Sequence, residues 1–159
     1  MSTEQGNSIA GSSVLVVDDN EQNLELLLAY LEDIDCGTLS APGGAEAIEI
    51  ARTELPDLIL LDVMMPKMSG FEVCRRLKAD PNTTNIPIIM VTALSELGDI
   101  ERAIDSGTDD FLSKPVNKLE LLTRVKTMLK LKHLTDKLER TLAYLSEMEA
   151  QAADQGGKG

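Results

Sequence analysis

Apolar positions along the chain fall into two alternating patterns. Short continuous apolar runs, the first at Ser13 to Val17, are followed by segments in which apolar residues recur every three or four positions, as the leucines do from Leu24 to Leu31. The first pattern is typical of buried strands, and the second of helices that cover one side of a core. Further strands are predicted at 36–40, 58–61, 86–91 and 111–113, with helical segments between them.

Five strands that alternate with helices predict an α/β fold with a parallel sheet, because each parallel connection needs a crossover of helix length. The predicted strands are apolar throughout rather than at every second position. Such strands are typically buried on both faces. We therefore expect a doubly wound sheet with helices on both sides.

Polar residues that interrupt the apolar runs lie where a predicted strand ends. These residues are Asp18, Asp19, Asp62, Thr92 and Lys114. In open α/β sheets, ligands bind at the carboxyl ends of the strands, so the fold would gather these five residues around one crevice. Three neighbouring carboxylates repel one another, and a hard cation such as Mg²⁺ would relieve that repulsion.

Each of these residues, taken alone, has a simpler interpretation. Asp18 and Asp19 could cap a helix, Asp62 could begin a turn, and Thr92 and Lys114 could be ordinary strand exits. Together, however, they offer complementary chemistry. Asp62 is the candidate nucleophile, the acidic pair would hold the metal, and the hydroxyl and ammonium groups would contact phosphoryl oxygens.

Charge and cysteine usage exclude several classes of function. The formal net charge of −12 at pH 7 disfavours direct binding to nucleic acid. Cys36 and Cys74 form no metal-binding motif and are expected to be reduced thiols in the core. The sequence shows neither a secretory signal nor an apolar stretch of 18 residues, so we expect no membrane insertion and a cytoplasmic location.

The strings VLVVDDN, LILLDVMMPKMSGFE, IIMVTAL and DDFLSKP resemble the response-regulator receiver family of two-component signalling, in order and in spacing. The resemblance implies a flavodoxin-like five-stranded parallel sheet of order 2-1-3-4-5. It also implies that Asp62 accepts a phosphoryl group from a sensor histidine kinase or a phosphotransfer protein. Such a protein is a signalling switch rather than a turnover enzyme.

The resemblance also implies how Mg²⁺ is held. Asp19 and Asp62 would be direct ligands together with the backbone carbonyl of Met64, and Asp18 would act through water. These assignments come from the matching positions of the family motif.

A second set of roles implied by the resemblance concerns signal transmission. Thr92 and Lys114 would bind the phosphoryl oxygens, and Phe111 matches the aromatic residue of the family's switch. The peptide bond between Lys114 and Pro115 matches one that is often cis in the family. A core residue is the simpler interpretation of Phe111.

From Asn117 to Gln155 the chain contains neither Pro nor Gly, and its pattern is helical. A heptad seam continues beyond the part that a receiver needs, with Thr141 as its weak position, and we expect it to form a coiled coil that makes a homodimer. We name as the heptad seam the residues Leu131, Leu134, Leu138, Leu145 and Met148. An unpaired helix is the alternative to this coiled coil. His133, the one histidine, is expected to be solvated.

These observations predict four regions: a flexible N-terminus at 1–12, a receiver domain at 13–129, a coiled-coil extension at 130–150 and a disordered tail at 151–159. The extension also resembles the helix that connects receivers to an output domain. Two alternatives to a phosphorylation-activated switch remain open. The chain would be a receiver fragment of a longer regulator with a missing output domain, or a module that serves mainly as a dimerising scaffold.

Two other classes of protein share parts of this pattern. A phosphatase of the haloacid dehalogenase type also uses a strand-end aspartate with Mg²⁺, but it needs an Asp-x-Asp sequence, and Asp62 is followed by Val63 and Met64. A flavodoxin-like electron carrier shares the fold, but the chain has neither a Ser/Thr-rich phosphate loop nor a surplus of aromatic residues.

Overall fold

The computed structural model describes residues 9–93 and 97–156. Within these ranges it has five strands, which are β1 (Ser13–Val17), β2 (Gly37–Ala41), β3 (Leu58–Asp62), β4 (Ile88–Thr92) and β5 (Asp110–Ser113). The helices are α1 (Glu21–Leu31), α2 (Gly44–Glu54), α3 (Gly70–Ala79), α4 (Leu97–Asp105) and α5 (Lys118–Gly156). All four strand pairs are parallel, and the sheet order is β2-β1-β3-β4-β5. The predicted flavodoxin-like fold is therefore confirmed.

The sheet has a hydrophobic layer on each side. In β3, Leu58 and Leu60 pack with α1 and α5, whereas Ile59 and Leu61 pack with α2, α3 and α4. All five residues of β3 and all five of β4 are buried. Burial on both faces explains why these strands are continuous apolar runs in the sequence.

The loop between β3 and α3 is held close to the end of β3 by a glycine. A Cβ atom at Gly70 would collide with the backbone oxygen of Asp62 and would lie 2.7 Å from the Cα of Val63. The Gly70 N–H donates a hydrogen bond to the Val63 carbonyl at 2.9 Å. Ser69 then begins α3, because its Oγ accepts a hydrogen bond from the Glu72 N–H.

Helix α5 is 39 residues long and leaves the domain part of the way along its length. Leu121, Val125 and Leu129 are fully buried against the sheet, whereas every side chain described from residue 137 onward is exposed. At 1.5 Å per residue, the part from 137 to 156 extends about 30 Å. None of the helices in the described ranges is long and apolar enough to cross a membrane.

The ends of the chain differ from the sequence-based expectation where the structure describes them. Residues 151–156, expected to belong to a disordered tail, continue α5, since Gln151, Ala152 and Ala153 have favourable helix propensity. Residues 157–159 lie outside the described ranges. Of the N-terminal segment, 1–8 also lie outside them, and 9–12 include a turn that ends at the buried Ser12.

The prediction that His133 is solvated is wrong. His133 is partly buried, and its Nε2 atom lies 2.6 Å from the Oγ of Ser12, which is itself only 2% exposed. This hydrogen bond joins α5 to the residue that precedes β1. It therefore fixes α5 at the edge of the sheet opposite the carboxyl ends of the strands.

Candidate functional site

The five predicted site residues lie at the carboxyl ends of four adjacent strands. Asp18 and Asp19 follow β1, Asp62 ends β3, Thr92 ends β4, and Lys114 follows β5. The Nζ atom of Lys114 lies 3.0 Å from Asp62 Oδ1 and 3.5 Å from Asp18 Oδ2. One carboxylate oxygen from each aspartate lies within 4.8 Å of the others. The structure thus forms the crevice that the sequence predicted.

Burial governs the charge of the phosphoacceptor candidate. Asp62 is 3% exposed, and this burial raises the pKa of its carboxyl group. The hydrogen bond from Lys114 offsets part of the rise, while the charges of Asp18 and Asp19 add to it. Burial also lowers the pKa of Lys114, but the hydrogen bond and charge of Asp62, with the charge of Asp18, leave this pKa raised overall. Lys114 therefore stays a cation beside Asp62.

Two buried polar atoms at the crevice have no hydrogen-bond partner among the residues that the structure describes. They are Asp18 Oδ2 and Thr92 Oγ1, and only one further such side-chain atom occurs in the part of the chain that is described. The other oxygen of Asp18 accepts a hydrogen bond from the Asn20 N–H at 2.9 Å, and Lys114 makes only an ion-pair contact with Oδ2. Buried polar atoms are nearly always satisfied in native proteins. A carboxylate oxygen can bind a cation and a hydroxyl can donate a hydrogen bond to an anion, so this pair suits a site that takes up both.

The chemistry of the donors suits Mg²⁺. Three carboxylates converge on one point, and hard divalent cations prefer oxygen ligands. Met64 lies in the loop two residues beyond Asp62, and its side chain is 74% exposed. A role for Met64 in holding the cation would therefore belong to its backbone carbonyl.

Thr92 and Phe111 lie on neighbouring strands. Phe111 pairs in register with Met90, which lies two residues before Thr92 on β4. The side chains of Phe111 and Thr92 therefore point to the same face of the sheet. Phe111 is partly buried and packs against the hydrophobic cluster on that face. The peptide bond between Lys114 and Pro115 is cis.

A groove of about 490 Å³ runs from the crevice along α1. Asp18 and Lys114 line its inner end, and the rest of its wall is mainly apolar, including Leu26, Tyr30 and Val116. Our sequence reasoning missed this groove. Its signal in the sequence was Leu26, an apolar residue of α1 outside the stripe that packs on the sheet, one turn before Tyr30 at the edge of that stripe.

Comparison with known proteins gives consistent results. A family model described as the response regulator receiver domain matches residues 14–126. The response regulator PleD of Caulobacter vibrioides is 45% identical over 127 residues, which are 80% of this chain and 28% of PleD. The polar-differentiation response regulator DivK of Brucella ovis is 38% identical over 117 residues, covering 74% of this chain and 95% of DivK. The chain thus spans little more than a quarter of PleD but nearly all of DivK.

Solved structures give the same result. The receiver domain of the sensor histidine kinase PA1611 from Pseudomonas aeruginosa PAO1 superposes with a TM-score of 0.70 at 30% identity, covering 76% of this chain and 98% of that domain. That crystal structure holds a magnesium ion in its active site cleft. A receiver domain of a histidine kinase from Syntrophus aciditrophicus has a TM-score of 0.71 at 37% identity, covering 75% of this chain and 90% of that one.

Proposed function

The chain belongs to the response regulator receiver domain family, and on this premise we propose that it is a signalling switch that accepts a phosphoryl group on Asp62. The observation that carries the proposal is the placement of Asp62 between two further carboxylates and the Lys114 ammonium. Thr92, at the end of the neighbouring strand, offers a hydroxyl that has no partner within the described ranges. The donor would be a histidine kinase or a phosphotransfer protein in the cytoplasm. Incubation with acetyl phosphate and Mg²⁺, followed by intact mass measurement, tests the proposal, and one added phosphoryl group is expected.

The transfer needs a nucleophile and compensation of charge. A carboxylate oxygen of Asp62 forms the new bond to phosphorus, the bond from phosphorus to the donor's imidazole nitrogen breaks, and the imidazole leaves. Lys114 and the Thr92 hydroxyl donate hydrogen bonds to the phosphoryl oxygens. Mg²⁺, held by Asp18, Asp19, Asp62 and the Met64 carbonyl, would neutralise negative charge there. The product is the modified chain itself, so we do not consider it a turnover enzyme.

The groove along α1 is the surface that we propose for docking of the phosphodonor, because it opens at Asp18 and Lys114. Leu26, 47% exposed, would contact an apolar face of the donor. We expect Leu26→Asp to slow transfer from a phosphorylated histidine phosphotransfer protein at least about tenfold, since a buried leucine contributes roughly 1.5 to 3 kcal/mol. Labelling by acetyl phosphate should be unchanged.

The matched control for this variant is Leu55→Asp, which changes another exposed leucine away from the groove. Rates would be measured by following the radiolabelled phosphoryl group on both proteins. Equal rates for the Leu26 and Leu55 variants would place the donor on another surface.

Thr92 and Phe111 are the residues that we propose to transmit the phosphorylated state. A hydroxyl drawn toward the phosphoryl group would leave space on the face where Phe111 packs, and the ring would move into it. Such a switch is a shift between two populations and needs only a few kcal/mol of differential binding.

Thr92→Ala is therefore expected to accept a phosphoryl group from acetyl phosphate but to lose most of the accompanying conformational change. The amide NMR spectrum, recorded with and without phosphorylation, measures that change at the residues of β5 and α4. Thr53→Ala, a substitution on the exposed part of α2, is the control and should respond as wild type. A full spectral response in Thr92→Ala would show that the coupling runs through other residues.

The exposed half of α5 supports a further part of the proposal, which is homodimer formation. The five residues of the heptad seam are between 48% and 63% exposed. The seam lies on the side of α5 opposite Leu129, which packs on the sheet, so the domain does not obstruct it. A second copy would cover these side chains in a parallel coiled coil.

A receiver fragment of a longer regulator is the alternative, and the observation in its favour is that PleD extends far beyond the matched region. A scaffold that works mainly by dimerisation is a second alternative. Reading the native gene beyond the codon for Gly159 tests the first. A chain that dimerises but takes no phosphoryl group would favour the second.

A further inference from the structure

Helix α4 is the least buried helix in the part of the chain that is described. Between residues 98 and 105 only Ala103 is buried, whereas each of the other four helices buries at least two side chains. Elements with few buried apolar contacts open and shift more readily than the rest of a domain. The helix begins at Leu97, five residues after Thr92 ends β4. A movement of that strand end would therefore be passed directly to α4.

The two ends of α4 are held differently. Just after its last residue the chain packs on α3, because Ser106 is 4% exposed and a Cβ atom at Gly107 would lie 3.1 Å from the Cγ of Lys78. Toward the start of the helix, by contrast, none of residues 98–102 is buried. The helix is therefore packed tightly at its carboxyl end and loosely at the end that follows Thr92.

One side chain of this loosely packed part contacts the neighbouring helix. The guanidinium carbon of Arg102 lies over the ring of Phe71, 4.4 Å from its centroid. Phe71 is 4% exposed at the start of α3, whereas Arg102 is exposed. Within the described ranges Arg102 has no ion pair, so the ring is the partner found for its cation. The negative face of an aromatic ring attracts a guanidinium group, and the contact therefore holds α4 against α3.

Phe71 is fixed to the strand that carries the phosphoacceptor candidate. It follows Gly70, which lies so close to the end of β3 that a Cβ atom there would collide with the backbone oxygen of Asp62. The ring also belongs to the hydrophobic cluster that contains Leu61 of β3. The ring therefore keeps its place relative to Asp62, whereas Arg102 moves with α4. The stack of Arg102 on Phe71 thus depends on where α4 lies relative to β3.

We propose that the stack of Arg102 on Phe71 is a latch that holds α4 in its unphosphorylated position and so sets how readily the receiver switches. A shift of Thr92 toward a phosphoryl group would displace the start of α4 relative to Phe71, and the stack opposes that displacement. The inference rests on the proposed phosphoacceptor and switch, and it adds a residue that regulates them. A contact made only before switching lowers the affinity for every ligand that favours the switched state.

Removal of the latch should make the switched state easier to reach, and the affinity for a phosphoryl analogue measures this. The beryllium trifluoride anion, bound to a carboxylate oxygen, has the tetrahedral shape of a phosphoryl group. We expect Arg102→Gln to bind this anion, in the presence of Mg²⁺, about two- to fivefold more tightly than the wild type does, which is the factor that an exposed cation–π contact provides. Titration followed by the amide NMR spectrum gives the half-saturating concentration.

A second measurement tests the latch without any ligand. The amide hydrogens of residues 98–105 should exchange about two- to fivefold faster in Arg102→Gln, because local opening of α4 no longer has to break the stack. Deuterium uptake followed by mass spectrometry measures these rates. Arg75→Gln, which removes the same charge from an exposed position of α3, is the matched control and should behave as the wild type in both measurements.

Variants of both partners identify the ring as the partner of Arg102. Arg102→Lys again places a cation near the ring and should restore part of the wild-type behaviour. Phe71→Leu keeps an apolar side chain in the core but removes the aromatic face. In the Phe71→Leu background, Arg102→Gln should change neither the exchange rates nor the affinity further, because the stack is already absent.

The outcomes separate this inference from the proposals on which it rests. An affinity for beryllium trifluoride that is equal or lower in Arg102→Gln overturns the latch, even if the amides of α4 exchange faster, because the contact would then be structural only. An effect of Arg102→Gln that persists in full in the Phe71→Leu background overturns it as well. A wild-type chain that takes up neither beryllium trifluoride nor a phosphoryl group from acetyl phosphate contradicts the phosphoacceptor role, and the latch is then overturned with it.

Discussion

Asp62→Asn is expected to abolish labelling by acetyl phosphate, whereas the wild-type chain should gain one phosphoryl group in the presence of Mg²⁺. The amide has nearly the same shape as the carboxylate, so the loss would come from chemistry and not from unfolding. An amide oxygen is a poor nucleophile toward phosphorus and contributes no negative charge to the metal site. Intact mass spectrometry distinguishes the two outcomes directly.

The control for Asp62→Asn is Asp35→Asn, which makes the same chemical change at an exposed aspartate away from the crevice. This variant should be labelled as the wild type is. Equal labelling of the Asp62 and Asp35 variants would mean that another residue accepts the phosphoryl group. Omission of Mg²⁺ should reduce wild-type labelling strongly, since the three clustered carboxylates would otherwise oppose an incoming phosphate.

The sheet and the crevice could be predicted because each depends on local sequence pattern. A parallel strand buried on both faces must be apolar throughout, and β3 is apolar until Asp62. Parallel strands bring their carboxyl ends to one edge, so a polar residue at each strand end predicts a shared site. The order of the strands, by contrast, could be predicted only from the resemblance to the receiver family, because the local pattern of a strand does not determine which strands lie next to it.

Features that depend on contacts distant in sequence could not be predicted in this way. The hydrogen bond between Ser12 and His133 joins residues 121 positions apart, and neither side of it has a distinctive local pattern. The ion pair between Lys78 of α3 and Asp109, directly before β5, is a similar case. Helix α5 continues beyond residue 150, where the sequence predicts disorder, because the helix propensity of Ala150, Ala152 and Ala153 outweighs the effect of the glycines that follow.

The contacts of α5 explain why its apolar residues divide into two sets. Leu121, Val125 and Leu129 are buried against the sheet, although Leu119 at the start of the helix is exposed. The hydrogen bond of His133 with Ser12 holds the next turn. Beyond this point the described part of the domain does not cover the leucines of the helix. Most of the stability of a helix in a protein comes from the packing of its apolar face. A partner helix would remove these side chains from water, so the proposed homodimer would account for both the length and the pattern of α5.

Replacing Leu134 and Leu138 with aspartate is therefore expected to convert the proposed homodimer into a monomer. Each leucine buried in a coiled coil contributes roughly 1.5 to 3 kcal/mol, and the variant loses four such leucines from one dimer. This loss exceeds the net free energy of dimerisation that a seam of about three heptads provides after the cost of association. Both residues are exposed in the single chain, at 63% and 57%, so the domain should stay folded and Asp62 should still be labelled. Leu55→Asp with Leu119→Asp, two exposed leucines outside the seam, is the matched control and should remain dimeric by light scattering. If the variant with both leucines replaced stays dimeric, the interface lies on the receiver domain, and α5 is a connecting helix.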